Sequence, residues 1–287
     1  MKAFRIFIIF VFLIFSKDLV FCETKCLKIH FLDVGEGDSV FIETQEGKTV
    51  LVDGGNLISG FEVVKFLKKK NIQSLDYLIF THPDLDHIGG AFFILQLLNA
   101  KNIYDNGEKL IKENKFSDVY RWYDKLVRQN KNYRMLKADD MLSFDGVVLN
   151  VLWPPKPLPF SDFNANSIVI MLEYKEFHCL LTGDLTAEVE RKLLEQEINL
   201  KADVLKIGHH GANDANCEEF IKSVAPKIAI LSVDSENFRG YPAQESIERF
   251  EKAGASLYRT DKDKNIVLSI CQNKDGKPVI KVTKNVR

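Results

Sequence analysis

The run Thr81-His82-Pro83-Asp84-Leu85-Asp86-His87 places four metal-capable side chains within six residues. Imidazole nitrogens and carboxylate oxygens are ordinary ligands for zinc, manganese or iron. The run follows Tyr77-Leu78-Ile79-Phe80, an apolar stretch that reads as a short buried strand. Alternate side chains of an extended segment point the same way, so His82, Asp84 and Asp86 can converge. His87 joins them as the chain turns into Ile88-Gly89-Gly90. A solvated loop has a similar composition, and what separates the two readings is the company the run keeps. Asp53 follows Thr49-Val50-Leu51-Val52, Asp184 follows the strand pattern ending at Thr182, and His209-His210 follow Ala202 to Ile207. Each alone reads as a turn. Together they approach the ligand set of a two-metal site, whose ions lie about 3.5–4 Å apart and share a bridging carboxylate.

The elements that must position these residues are strands that stop just before them. Leu27 to Val34, Ser39 to Thr44 and Thr49 to Val52 read as an antiparallel meander. Helical periodicity covers Phe61 to Lys70 and Ala91 to Leu98. Strands return at Val147 to Leu152, Ile168 to Glu173, Phe177 to Thr182, Ala202 to Ile207 and Lys227 to Val233. Helices are expected at Thr186 to Gln196, Cys217 to Val224 and Ser246 to Ala253. Two halves of strands then helices, with no repeat period, imply two packed sheets flanked by helices.

Residues 101 to 137 are the most basic stretch, with ten Lys and Arg against five Asp and Glu. Tyr104, Phe116, Tyr120, Trp122, Tyr123 and Tyr133 are interleaved, and a helix is expected from about Ser117 to Gln129. Such a helix can stack bases along a phosphate backbone. An amphipathic helix with aromatics in the core and lysines in solvent is the favoured reading.

The 287 residues are 46% hydrophobic and 28% charged, ordinary globular composition. A net charge of −1 provides no global field for a polyanion or a membrane surface. Lys2 and Arg5 precede the apolar run Ile6 to Phe15, which is short for a bilayer span and fits a secretory leader over residues 1–22. A lipoprotein signal at Cys22 and an uncleaved anchor are the alternatives, so membrane contact is expected only through this segment. Cys22, Cys26, Cys179, Cys217 and Cys271 include no Cys-x-x-Cys pair, and no disulfide framework is readable.

The segments "FLDVGEGDSVFIET", "VLVDGGN", "LDYLIFTHPDLDHIGG", "NANSIVIMLEY", "LLTGDL" and "ADVLKIGHHGAND" resemble the metallo-β-lactamase superfamily. They are most similar to the soluble hydrolase domain of the competence protein ComEC, in family order from about residue 27 to 270. The resemblance implies an α+β fold, a single-domain αββα sandwich over residues 27–287, with metals at one edge of the sheets. It implies two divalent ions, zinc or manganese: His82 and Asp84 on the first, Asp86 and His87 on the second, Asp184 between them, and His209 completing the second site. Asp53 matches a carboxylate that orients the metal loop. His210 is a ligand, a proton donor or a substrate contact, and with Asp86 is the catalytic candidate. Asn166 and Tyr241 are the expected substrate contacts.

This sequence departs from the family pattern at several positions. Asp84 stands where many superfamily enzymes carry His, and Asn164, Asn166 and Ser167 occupy the region of a missing imidazole. Tyr241 replaces the His of a "GHP" segment, and Glu36 replaces a usual Gln. An oxygen-rich first site shifts preference from zinc toward manganese. The ComEC transmembrane channel part is absent, so a stand-alone exported relative is expected. The function implied is a two-metal phosphodiesterase acting on DNA outside the cytoplasm. The alternatives are a hydrolase of a small phosphoester or lactone, and a non-enzymatic binding module with a degenerate site. DNA or another phosphodiester is the expected partner, and no protein partner is expected.

Overall fold

A computed structural model describes residues 26–109 and 117–286. The first half runs β1 (Leu27–Phe31), β2 (Val40–Glu43), β3 (Thr49–Val52), α1 (Leu57–Lys69), β4 (Ser74–Leu75), β5 (Tyr77–Ile79), α2 (Leu85–Ile88), α3 (Ala91–Leu97), β6 (Asn99–Ala100), β7 (Ile103–Asp105), α4 (Ser117–Tyr123) and β8 (Tyr133–Met135). The second half runs β9 (Met141–Phe144), β10 (Val147–Trp153), β11 (Val169–Tyr174), β12 (Phe177–Leu181), α5 (Ala187–Glu195), β13 (Val204–Lys206), α6 (Glu218–Val224), β14 (Ile228–Leu231), α7 (Gln244–Lys252), β15 (Ser256–Arg259), α8 (Thr260–Asp263), β16 (Ile266–Gln272) and β17 (Pro278–Thr283).

Among the described residues these strands form an eight-stranded sheet, β17-β16-β1-β2-β3-β5-β7-β8, and a seven-stranded sheet, β15-β14-β13-β12-β11-β10-β9. β4 and β6 pair separately. The last hairpin, β16–β17, completes the first half's sheet by pairing β16 antiparallel to β1. Alternation along the strands explains the layering, because successive side chains face opposite sides of a sheet. Ile29, Val50 and Val52 meet Leu149, Ile170, Leu172 and Cys179 between the sheets. Phe41, Leu51 and Leu78 pack instead with Val63, Val64, Leu67 and Ile94 of α1 and α3. Leu180 and Leu205 pack with Val189, Phe220 and Phe250 of α5, α6 and α7. The result is the expected single-domain αββα sandwich.

α1 begins four residues earlier than the periodicity suggests, because Asn56 caps it by accepting from Ile58 N and Ser59 N at 2.9 and 3.0 Å. Its first turn is pressed against the start of α3: a Cβ on Gly60 would lie 2.3 Å from Gly90 Cα. The aromatic stretch over 117–129 forms α4 and one wider helical turn, Asp124–Arg128. Tyr123 is buried against Phe80, and the Tyr133 hydroxyl donates to Asp105 at 2.6 Å. Arg128 Nε pairs with the same carboxylate at 2.8 Å. Among the described residues these groups build the core and its edge, leaving no row of exposed rings for stacking; Phe116 lies outside them.

Two corrections concern the termini and cysteines. The expected membrane contact through the N-terminal segment is not supported: among the described residues no helix is long and apolar enough to cross a membrane. Residues 1–25, which include the proposed leader, lie outside the described residues. The unreadable cysteine framework resolves into a Cys26–Cys271 disulfide with a separation of 245 residues. It ties the start of β1 to β16. Cross-linking so distant a pair restricts the unfolded chain strongly, so Cys26→Ser with Cys271→Ser will lower stability by about 2–5 kcal/mol. Urea unfolding with and without reductant measures this: dithiothreitol should bring the wild type down to the double variant and leave the variant unchanged.

His30 is a second stability feature. Its ring is buried between Phe41 and Phe66, and neither nitrogen has a hydrogen-bond partner. Burial, reinforced by Lys70 and Lys28, lowers its pKa to about 3. The unfolded chain takes up this proton below about pH 6.5. Stability is therefore complete above that value and falls as the medium is acidified toward the folded pKa. Between pH 6.5 and 4.5 the wild type will lose about 2–3 kcal/mol more than His30→Phe. Equal losses on urea unfolding at the two pH values would remove His30 as the cause.

Candidate metal centre

The site is assembled where parallel strands end. β3 and β5 are parallel neighbours, as are β12, β13 and β14. Asp53 follows β3, His82 follows β5, Asp184 follows β12, and His209-His210 follow β13. Carboxyl ends of adjacent parallel strands share one edge, so residues far apart in sequence meet there. The loop carrying Glu36 closes over them, and Gly37 is required: its Cβ would lie 1.9 Å from the Asp86 carbonyl oxygen.

Asp184 Oδ2 is the centre of the arrangement. It lies 3.1 Å from His210 Nε2, 3.2 Å from His87 Nε2 and 3.9 Å from His82 Nε2. His82 Nε2 is also 3.7 Å from Asp84 Oδ2, and His210 Nε2 is 3.6 Å from Asp86 Oδ2. Two candidate metal-binding groups follow among the described residues. Asp86, His87, Asp184 and His210 form one, and Asp38, Asp53 and His87 form the other, each with ligand atoms within 4.8 Å of one another. They are consistent with a two-metal site.

Each imidazole is held so that Nε2 is presented. His87 Nδ1 donates to Asp53 Oδ2 at 2.9 Å, and His210 Nδ1 donates to the Ser232 carbonyl at 3.0 Å. The Thr81 hydroxyl donates to Asp53 at 2.8 Å, so its oxygen accepts from His82 Nδ1 at 3.0 Å. Fixing Nδ1–H in this way aims the Nε2 lone pair, the usual arrangement behind metal-ligating histidines. Nε2 of His82, His87 and His210, Oδ2 of Asp86 and Oδ1 of Asp184 are buried without a hydrogen-bond partner. Unsatisfied buried polar atoms are costly. Their convergence fits a divalent ion, which would satisfy them together.

The electrostatics agree. Burial opposes charge on His210, but Asp184 and Asp86 raise its pKa to about 10. His87 likewise rises well above the ordinary value, burial being outweighed by Asp184 and Asp53. Burial would raise the carboxyls of Asp86 and Asp184, yet His210 and His87 hold both well below the ordinary range. A pocket that binds protons this firmly attracts other cations, and metal uptake would release those protons.

The sequence-predicted residues divide into two groups. His82, Asp84, Asp86, His87 and Asp184 converge, with Asp53 behind them. His210, rather than His209, joins Asp86 and Asp184. Both histidines have positive φ, 47° and 49°, so consecutive side chains leave a tight turn in different directions. His209 Nδ1 lies 3.0 Å from Asp214, and its Nε2 lies 3.2 Å from Asn164 Nδ2 and 3.5 Å from the Tyr241 hydroxyl. The placement of His209 as the ligand completing the second group is thereby corrected. Tyr241 does reach this rim. Asn166 does not: it is fully buried, and its amide donates to Glu108 at 3.0 Å and to the Phe160 carbonyl at 2.9 Å. Asn164, two residues earlier, faces His209 instead.

Sequence reasoning missed Asp38 and Lys206. They form an ion pair behind His210, and both side chains are almost wholly inaccessible, at 4% and 1% exposure. A charged residue within a strand pattern, as Lys206 is, was the available signal. Asp53 has the opposite history, being legible in sequence and explained by its bonds. It accepts from Thr81 N, Thr81 Oγ1 and His87 Nδ1. Asp53→Asn places an N–H donor against these donors and disturbs the His87 tautomer. Metal affinity should fall about 10–100-fold, measurable by competition with a chromogenic chelator.

A family model described as the metallo-beta-lactamase superfamily matches residues 32–235. The chain belongs to this superfamily. The ComE operon protein 3 of Bacillus subtilis is 31% identical over 85% of this chain and 33% of that protein. The Recombination protein 2 of Haemophilus influenzae is 30% identical over 79% of this chain and 27% of that protein. The chain thus spans about a third or less of these relatives' length. Among solved structures, the metallo-beta-lactamase fold protein YhfI of B. subtilis superposes with a TM-score of 0.53 at 12% identity, covering 81% of this chain and 96% of YhfI. CmlA, a diiron beta-hydroxylase from Streptomyces venezuelae, superposes at 0.54 with 14% identity, over 82% of this chain and 53% of CmlA. These superpositions establish the fold. Fold and ligand groups together are consistent with a metal-dependent hydrolase.

Proposed function

We propose that the protein is a two-metal phosphodiesterase that cuts DNA outside the cytoplasm, a relative of the ComEC hydrolase domain. The observation carrying this reading is Asp184 Oδ2 within 4 Å of Nε2 on His82, His87 and His210. His82 and Asp84 would hold one ion, Asp86, His87 and His210 the other, and Asp184 both. Bound divalent ions supply Lewis acidity and an activated water. The protein's own contribution is to fix the ligands and to bury His82, His87, His210 and Asp184 almost completely, leaving Asp84 the most accessible. Asp53, Thr81 and the Ser232 carbonyl hold the imidazoles. Beside His209, Tyr241 keeps its phenolic proton, because burial and the nearby Asp214 raise its pKa. It can therefore donate to an oxygen of a bound substrate.

Relatives named as a recombination protein and a competence protein support a nucleic-acid substrate, as do more distant relatives named endoribonucleases. The Cys26–Cys271 disulfide supports an oxidising compartment, and with it export, residues 1–22 being a leader and 27–287 the folded domain. Incubation of residues 23–287 with single- and double-stranded DNA, with manganese or zinc and with a chelator, tests the reading. Metal-dependent cleavage is expected. Bound metal with turnover of small phosphoesters or lactones, and none of DNA, would replace it.

A further inference from the structure

The loop after β14 carries residues that neither the metal ligands nor their supports use. Phe238 is 91% exposed, the most exposed large hydrophobic side chain among the described residues. The loop beneath it is braced. Asn237 donates through Nδ2 to the Asp234 and Tyr241 carbonyls at 2.6 and 2.7 Å, and its Oδ1 accepts from Tyr241 N at 2.9 Å. The residues that follow Phe238 fasten the loop to the metal centre. Arg239 Nε pairs with Glu36 at 2.8 Å, on the turn that covers Asp86, and its guanidinium lies within electrostatic reach of Asp86 and Asp184. The Tyr241 ring packs on His209 with centroids 5.5 Å apart.

We propose that Phe238 and Arg239 form a nucleoside-binding shelf at the mouth of the metal centre, Phe238 stacking on a base and Arg239 meeting the adjoining phosphate. The proposal rests on the phosphodiesterase reading and assigns the substrate contact beyond the scissile bond. An aromatic face held in water gains by covering a flat π-surface, and every base offers one. The neighbouring cation selects the class of ligand. Arg239 shares its charge with Glu36 through Nε, but its guanidinium remains partly exposed, and a planar fork of N–H donors suits a phosphate better than a quaternary ammonium group. A nucleotide supplies both the ring and the anion. Bracing by Asn237 keeps the shelf formed before substrate arrives, which lowers the ordering cost of binding.

Two phosphodiesters with one leaving group test this: thymidine 5′-(p-nitrophenyl phosphate) and methyl p-nitrophenyl phosphate. Phe238→Ala should lower the kcat/KM preference for the thymidine ester about tenfold, and Phe238→Trp should retain it. In Phe238→Trp, oligothymidylate should quench indole emission beyond the quenching seen in wild type. Hydrolysis of both esters with an unchanged preference in Phe238→Ala, or no added quenching in Phe238→Trp, overturns the shelf alone. Hydrolysis of neither ester by the metal-loaded wild type overturns the phosphodiesterase reading and the shelf with it.

Discussion

Asp184→Asn will leave the fold intact and remove metal binding together with hydrolysis. The substitution is nearly isosteric, so packing around this buried side chain changes little. The loss is electrostatic. The Asp184 carboxylate stands 3.1 and 3.2 Å from two imidazole nitrogens and 3.9 Å from a third. An amide offers one neutral oxygen where the carboxylate offers two sharing a negative charge. If two cations are held on either side of residue 184, a neutral amide there would leave their mutual repulsion unscreened. Changes to groups behind metal ligands cost about 10–100-fold in affinity or activity, so a change at Asp184, where the candidate ligands converge, should exceed about 100-fold. Elemental analysis should show metal falling from about two ions per chain in the loaded wild type to below one. The paired control is sharper. His210→Ala should behave like Asp184→Asn, while His209→Ala should keep its metal, because His209 faces Asp214, Asn164 and Tyr241 instead. The reverse result would return the ligand role to His209.

Lys206→Met will be the most destabilising single change away from the metal ligands. Lys206 is 1% exposed, pairs with Asp38 and donates to the Gly183 carbonyl at 3.4 Å. Methionine fills a similar volume but leaves Asp38 buried with only the His210 ring, 4.0 Å away and already bonded to the Ser232 carbonyl, as a neighbouring cation. Breaking one partner of such a pair costs about 3–5 kcal/mol, which lowers Tm by roughly 10 °C in a chain of this size. Removing the second charge as well, in Lys206→Met with Asp38→Asn, should recover part of that loss. The non-additivity measures the coupling between the partners. Scanning calorimetry on both variants, in metal-free buffer, decides the point. Equal and additive losses would mean that the two charges act independently.

The local order of the fold was legible because its signals are local. Apolar runs of strand length, interrupted by Gly, Asp and Asn, give β2, β3, β11 and β12 nearly to the residue. The clustering of His82, Asp84, Asp86 and His87 needs only one turn of chain, so sequence spacing carries it. Asp53 and Asp184 were legible for a related reason: each follows a strand that must be buried, and strand ends collect at a sheet edge.

What remained to tertiary structure depends on long-range pairing or on backbone direction. Nothing in the spacing joins Cys26 to Cys271; that contact exists because β16 returns to lie beside β1. Adjacent histidines in sequence are equivalent candidates, and the left-handed backbone at His209 and His210 alone turns one inward and the other to the rim. Asn166 and Asn164 exchange roles through a short helical turn, Asn164–Asn166, that buries the second. Aromatics at 104–133 suggest either a stacking surface or a core, and for Tyr104, Tyr123 and Tyr133 only burial against Phe80, Asp105 and their neighbours selects the core. By itself, the sequence determined the chemistry available to this protein, because residue types and their strand-end positions are local properties. Only tertiary structure decided which of those residues face one another, because that depends on strands brought together across the whole chain.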